Sequence, residues 1–348
     1  MKAPDRKAAA PLPDARRAVF VAVVLPSWLL ILLLTLAFAA GLRVPEPVQY
    51  LPFAASLVLF GLPHGALDHL VPSRLAGRTP DARSVLGVVL LYVALACPCL
   101  ALWFVAPSLA FTSFVCLTAY HWGAGDLHAL LFFGPPALAQ TGPLARALLL
   151  AGRGCIPMVV PLAFFPVEYL GVARDAAGLF GSDATALIGL LEPYVRLTLP
   201  AVLAALVALS LLSAAWDLGP ERRSLLPLIG ETLLLFAFFA VVPPVLAVGL
   251  YFTLWHAPRH VARLILLDTA APQPGSWPQA LGRFARDAAP MSGLALLVLV
   301  GLFYLVGPSG LEGAGSLLAL YLVLVSALTL PHAVVVTYMD WRQGVWGR

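Results

Sequence analysis

The chain has 348 residues, 61% of them hydrophobic and only 11% charged, with a formal net charge of +4 and a mean hydropathy of +0.93. Water-soluble domains carry about 25% charged residues, so that class is excluded and a polytopic membrane chain remains. No basic stripe interleaved with aromatics is present, which argues against a nucleic-acid surface.

The opening residues 1–17, MKAPDRKAAAPLPDARR, are basic and rich in Ala and Pro, and are expected to be disordered. They lead into an apolar run over 18–40. That run is longer than the 7–15 or so residues of a signal-peptide core. It reads as an uncleaved anchor, although Ala37-Phe38-Ala39 mimics a cleavage site.

A spanning helix needs about 20 mostly apolar residues. Ten segments qualify: 18–40, 49–70, 85–106, 108–133, 144–165, 195–215, 224–242, 244–267, 288–308 and 314–338. The expected fold is therefore all-α: one polytopic membrane helix bundle over 18–342, followed by a short tail over 343–348. The loops 166–194 and 268–287 are long enough for short interfacial helices. The four cysteines, Cys97, Cys99, Cys116 and Cys155, lie in apolar runs without a C-x-x-C pair, and read as small buried hydrophobes.

Arginine placement orients the bundle. Basic residues collect before the first span, then at Arg74, Arg78 and Arg83, and again at Arg146, at Arg222 and Arg223, at Arg263, Arg283 and Arg286, and at Arg342 and Arg348. Arg43, Arg174 and Arg196 fall on the opposite face. Cytoplasmic loops carry the excess of Lys and Arg, so ten spans with both termini cytoplasmic are expected, in a bacterial-type plasma (inner) membrane.

All seven histidines lie in even-numbered spans: His64 and His69 in the second, His121 and His128 in the fourth, His256 and His260 in the eighth, and His332 in the tenth. Even spans run in one direction, so depths compare directly. His64, His121, His256, His260 and His332 fall within about 9 Å of depth at 1.5 Å per residue. His256 and His260 are four apart, on one helix face, as are His64 and Asp68. Asp126 follows His121 across Gly123 and Gly125, where a bend or unwinding is expected. Pro63, Pro258 and Pro331 sit beside histidines, and such breaks are tolerated at membrane depth where freed groups line a site.

Charged groups at mid-membrane are costly, by about 2.5–3.5 kcal/mol each. A divalent cation shared by neutral imidazoles satisfies several at once, and imidazole suits Fe, Zn and Cu. Asp68 and Asp126 would then orient ligands through their outer N–H groups, and Arg259 or Glu231 would balance charge. His332 is open between ligand and support. His69 reads as a supporting or interfacial residue and His128 as interfacial; Trp103, Trp122 and Trp255 read as packing residues.

Three other readings compete. A transporter would use the same His, Asp and Glu residues as a proton or metal relay. A di-iron lipid desaturase or hydroxylase would use HAPRH as a histidine box. A bis-His haem protein would leave most of the histidines without a role.

The motifs GLPHGALDH, YHWGAGD, WHAPRH and LPHAVVV, in this order over residues 49 to 340, resemble the Brp/Blh family of integral-membrane β-carotene 15,15′-dioxygenases. The resemblance implies Fe(2+) held by His64, His121, His256 and His260, with Asp68 and Asp126 as supporting residues. It implies β-carotene and O2 as substrates and retinal as the product, available to a rhodopsin. Trp122 stands where that family usually has Phe. Four neutral imidazoles leave iron with open positions, and the chain's part would be to position the central bond and keep the site dry.

Overall fold

Runs of Leu, Ala, Val and Phe about 20 residues long bury all their backbone polar groups only as helices, and helices are what form. The computed structural model describes residues 13–268, 277–307, 311 and 313–347, and these hold no strand.

Helix α1 (Pro13–Val19) passes through a π-helical turn into α2 (Leu25–Ala39). Residues 1–12 of the segment expected to be disordered lie outside the described residues, and its remainder is helical from Pro13. The second predicted span is not one helix. It is broken into α3 (Glu46–Gln49), α4 (Leu51–Ser56), α5 (Gly61–Gly65), a 3-10 turn at Asp68–Leu70 and α6 (Val71–Leu75). Pro52, Pro63 and Pro72 each remove a donor from the helical ladder, and Gly61 and Gly65 supply little local stiffness.

Long helices follow: α7 (Ala82–Val105), α8 (Pro107–Phe133) and α9 (Pro143–Phe164). Asp81 starts α7 by accepting the Ser84 N–H at 2.7 Å, a side-chain N-cap. The loop after α9 carries α10 (Pro166–Gly178) and a 3-10 stretch at Thr185–Leu191. Next come α11 (Pro193–Leu218), α12 (Leu226–Val241), α13 (Pro244–Leu250), a π-helical stretch at Tyr251–His256, α14 (Ala257–Leu267), α15 (Trp277–Val306) and α16 (Ala314–Gln343). Of the loop 268–287, residues 269–276 lie outside the described residues and the rest after Trp277 is helix.

Among the described residues, seven helical stretches are long and apolar enough to cross a membrane; one of them, Pro193–Val241, covers the sixth and seventh predicted spans. The two predicted spans outside this set are α8 and 244–267. They carry His121, Asp126 and His128, and His256, Arg259, His260 and Arg263. The polar residues gathered there lower the hydropathy of their own helices.

Where α8 meets α9 the backbones touch. A Cβ on Gly123 would meet the Leu150 carbonyl, and one on Gly154 the Ala119 carbonyl. Small residues allow such approach between membrane helices. Helix α8 runs unbroken through Gly123 and Gly125, so the expected unwinding is absent, and these glycines serve close contact. A core of Trp122, Ile156, Phe238, Phe239, Tyr251 and Trp255 joins α8, α9, α12 and the π-helical stretch. The cysteines are not buried as expected: Cys97 and Cys116 are exposed, Cys99 and Cys155 intermediate, and all four are free thiols.

One end of the bundle is tied by arginines. Arg16 donates to the Phe132 and Leu131 carbonyls at 2.7 and 3.1 Å, capping the end of α8. Arg146 donates to Val345 O at 2.7 Å and Ala139 O at 2.6 Å. Arg263 pairs with Asp340 at 2.7 Å.

Candidate metal centre

Five imidazoles converge. The rings of His64, His121, His256, His260 and His332 form one cluster with neighbouring centroids 4.6–6.4 Å apart, all buried. Ligand atoms of His64, His121 and His256 lie within 4.8 Å of one another, and those of Asp68, His260 and His332 form a second such group. Of the four residues that the resemblance names, three thus share one group, while His260 sits with His332 and Asp68.

Local breaks set the rings. Pro63 lets the chain turn at Gly61, and the His64 Nδ1 bonds back to the Gly61 and Phe60 carbonyls, the latter at 3.1 Å. A carbonyl only accepts, so Nδ1 carries the proton and Nε2 presents a lone pair. His332 Nδ1 donates to Asp68 Oδ2 at 2.8 Å, which likewise leaves its Nε2 as a lone pair. Tyr92 donates to the same carboxylate oxygen at 2.6 Å. Asp68 therefore orients His332, and not His64 as its i, i+4 spacing suggested. The cause is the change from α5 to the 3-10 turn at Asp68–Leu70, which takes Asp68 off the face that carries His64.

Pro258 has no N–H for the Leu254 carbonyl, which instead accepts from Ser27 Oγ at 2.6 Å. The π-helical stretch Tyr251–His256 ends here, an irregularity common at functional sites. It delivers His256 Nε2 to 3.0 Å from His121 Nε2. Gly125 faces this ring: a Cβ there would lie 3.0 Å from His256 Cε1 and 3.1 Å from Nδ1. Gly125→Ala is expected to displace the ring and lower the occupancy of a metal ion held there about tenfold, the scale of losing a supporting contact, with protein yield unchanged. Metal per chain after dialysis against a fixed concentration of a first-row divalent ion checks this.

The donor set fits a metal ion. His260 Nε2, His332 Nε2 and Asp68 Oδ1 are buried without a hydrogen-bond partner, an expensive condition for polar atoms unless something else binds them. Two nitrogens bound to one first-row ion at about 2.1 Å lie about 3–4 Å apart, a range that includes the His121–His256 separation.

Behind the histidines lies a buried ion network. Asp126 does not reach His121. Five residues along an unbroken helix rotate about 140° away, and Asp126 instead accepts from Arg153 at 2.7 and 3.0 Å and from Trp255 Nε1 at 3.0 Å. Arg153 also reaches Glu231 at 3.0 Å. Arg259 meets Glu231 at 3.3 Å and lies 3.6 Å from the Trp255 ring centroid, a cation–π contact. Trp28 donates to Glu231 at 2.6 Å. Two cations and two anions balance, and the network grips Trp255 and Arg259, the neighbours of His256 and His260. Arg153 and Tyr92 escaped sequence reasoning. An arginine inside a span is itself the signal for Arg153, whereas a tyrosine in an apolar run carries none.

His69 donates to the Ala66 carbonyl at 2.9 Å and lines the cavity without joining the imidazole cluster. His128 is buried, stacked 4.4 Å from Phe132, not interfacial. Trp122 packs 4.8 Å from Tyr251, and Trp103 donates to Ser326 at 2.7 Å. An apolar cavity of about 450 Å³ opens beside His64, His121 and His332.

Fold and site define an all-helical chain of membrane composition with a buried imidazole cluster, part of which lines an apolar cavity. Residues 55–340 match the family described as Beta-carotene 15,15'-dioxygenase, and the chain belongs to that family. It is 40% identical to the probable beta-carotene 15,15'-dioxygenase Blh of Halobacterium salinarum over 95% of this chain and 96% of that protein. It is 31% identical to the probable beta-carotene 15,15'-dioxygenase Brp of the same organism over 92% of each chain. A beta-carotene 15,15'-dioxygenase from an uncultured marine bacterium matches at 31% over 22% of this chain and 28% of its own. No solved structure gives a significant match.

Proposed function

We propose that the chain is a non-haem iron dioxygenase of a bacterial-type plasma membrane that splits β-carotene at its central 15,15′ double bond. One O2 supplies the two aldehyde oxygens, the carbon–carbon double bond breaks, and two retinals result. The observation that carries this reading is the convergence of five buried imidazoles, three of them lining an apolar cavity, in a chain of that family. His64, His121, His256 and His260 would hold Fe(2+), with His332 at the same cluster. When bound, the ion supplies activation of O2 toward an alkene.

The chain's own residues do the remaining work. Asp68 holds His332 through its Nδ1 proton, and Tyr92 holds Asp68. The network of Arg153, Asp126, Glu231 and Arg259 fixes the helix that bears His256 and His260. The apolar wall excludes water and aligns the polyene against the histidines.

Ten crossings with cytoplasmic termini fit the ties at one end of the bundle. Arg16 near the first described residue and Val345 near the last both bond to residues bordering the same loop, after α8. An even number of crossings brings both ends there. Retinal released into the lipid is then available to a rhodopsin. A proton relay is disfavoured because Asp126 and Glu231 are committed to arginines.

Expressed in cells that accumulate β-carotene, the protein is expected to bleach them and yield retinal, and when purified to hold about one iron per chain. Persistent orange colour, with iron-loaded protein present in the membrane, would overturn the reading.

A further inference from the structure

The cavity runs past α16 on two sides. At 100° per residue, its lining residues Leu318, Leu322, Val325 and Thr329 fall within about 60° of one another, Leu324 and Leu328 lie about 100° round the helix, and Tyr321 and His332 fall between the two sets. The first face packs with Phe53, Tyr321 and Val248 in a buried cluster, Phe53 and Tyr321 with centroids 6.3 Å apart. The second belongs to another cluster, with Leu100 of α7 and Leu302 of α15. The cavity therefore has an inner limb and an outer limb, and His64 and His332 are among its lining residues.

The outer limb is open. Val93 of α7 and Leu294 and Val298 of α15 line the cavity, yet are 55%, 52% and 44% exposed; Cys97 of α7 is exposed beside them. Helices α7 and α15 each bury only 6% of their most apolar window, so this face looks into lipid. The mouth carries no charge. A polyene without a polar group partitions into the bilayer, and this cleft offers it a path that never leaves apolar surroundings.

We propose that the cleft between α7 and α15 is a lateral mouth through which the polyene enters from the bilayer. One half of the substrate stays in the outer limb while the other lies in the inner limb along Phe53, Val248 and Leu322. This rests on the reading that the substrate is a long symmetric carotenoid. A cavity of about 450 Å³ lies within the roughly 300–1,000 Å³ of ligand sites, and the open mouth lets the remaining length lie against lipid. How far the chain advances along the inner limb decides which bond meets the histidines, so the length of that limb sets the cleavage position.

The test uses the full chain in β-carotene-loaded liposomes, with Ala295→Trp narrowing the mouth and Leu322→Trp shortening the inner limb. Iron content and monodispersity are measured alongside, and Ala295→Leu and Leu322→Phe serve where a tryptophan variant fails to fold. Ala295→Trp is expected to lower turnover at least about tenfold, since a misplacement of 1 Å can cost about 10²-fold, with iron and retinal product unchanged. After chelation, wild-type protein retains β-carotene through purification and Ala295→Trp does not. Leu322→Trp moves the cut off centre, giving an unequal pair of aldehydes, and still accepts a polyene shortened at one end. Wild-type turnover and carotenoid retention in Ala295→Trp, or an unchanged yield of retinal alone from Leu322→Trp, would overturn the proposal. Failure of the unmodified protein to cleave β-carotene at all would instead refute the functional reading beneath it.

Discussion

His256→Ala is expected to strip the protein of iron and abolish retinal formation, a loss beyond the 10–100-fold that follows removal of a supporting partner. His256 and His121 meet through their Nε2 atoms at 3.0 Å, so deleting one ring removes the nearest nitrogen facing the other. His64 presents its Nε2 lone pair to the same group because its Nδ1 proton is committed to backbone carbonyls. His64→Ala, His121→Ala and His260→Ala are expected to behave alike.

The graded member of the series is the pair around Asp68. Asp68→Asn replaces the carboxylate that holds the His332 ring with a weaker acceptor, so iron affinity is expected to fall 10–100-fold and to recover at high Fe(II). Iron per chain, titrated against free Fe(II) and read beside retinal yield, separates the two behaviours. Full iron retention by His256→Ala would remove it from the ligand set, and unrecoverable loss in Asp68→Asn would move Asp68 from support to ligand.

The helices were legible because a bilayer allows few solutions: apolar runs near 20 residues must be helical, and helices cover the predicted segments. The convergence of histidines was legible for a related reason. Helix rise is fixed, so residue number along parallel spans converts to depth, and His64, His121, His256, His260 and His332 indeed meet.

The His256–His260 spacing held, and both rings join the cluster; what failed were two other placements that depend on rotation about an axis. The His64–Asp68 spacing presumes an α-helix, and the chain leaves α-helix after Gly65. Asp126 was assigned to His121 on an imagined unwinding at Gly123 and Gly125, whereas α8 is continuous and those glycines admit α9 and His256. A glycine that bends a helix and one that lets a neighbour approach look the same in a single sequence. The broken second span hid for the opposite reason: hydropathy does not register where the ladder is interrupted.

Arg153→Ala is expected to be the most destabilising single change away from the histidines. Arg153 serves two carboxylates at once, Asp126 at 2.7 Å and Glu231 at 3.0 Å, in a site where all three side chains are almost wholly buried. Removing it leaves Asp126 with only the Trp255 N–H and forces Glu231 to rely on Arg259 and Trp28. Breaking a buried pair in this way costs about 3–5 kcal/mol, because one charge is left uncompensated. Arg153→Lys is expected to recover little, since a single ammonium does not reproduce the fork that spans both acids. Arg153→Met combined with Asp126→Asn removes one charge of each sign and keeps an acceptor for Trp255, so most of the loss should return. Thermal unfolding of monodisperse protein in detergent, wild type beside Arg153→Ala, Arg153→Met, Asp126→Asn and the double variant, completes the cycle. If the network also aims the histidine-bearing helix, iron content will follow stability in Arg153→Ala and return in the double variant. An Arg153→Ala protein as stable as wild type would mean that the four charges are not coupled as their distances indicate.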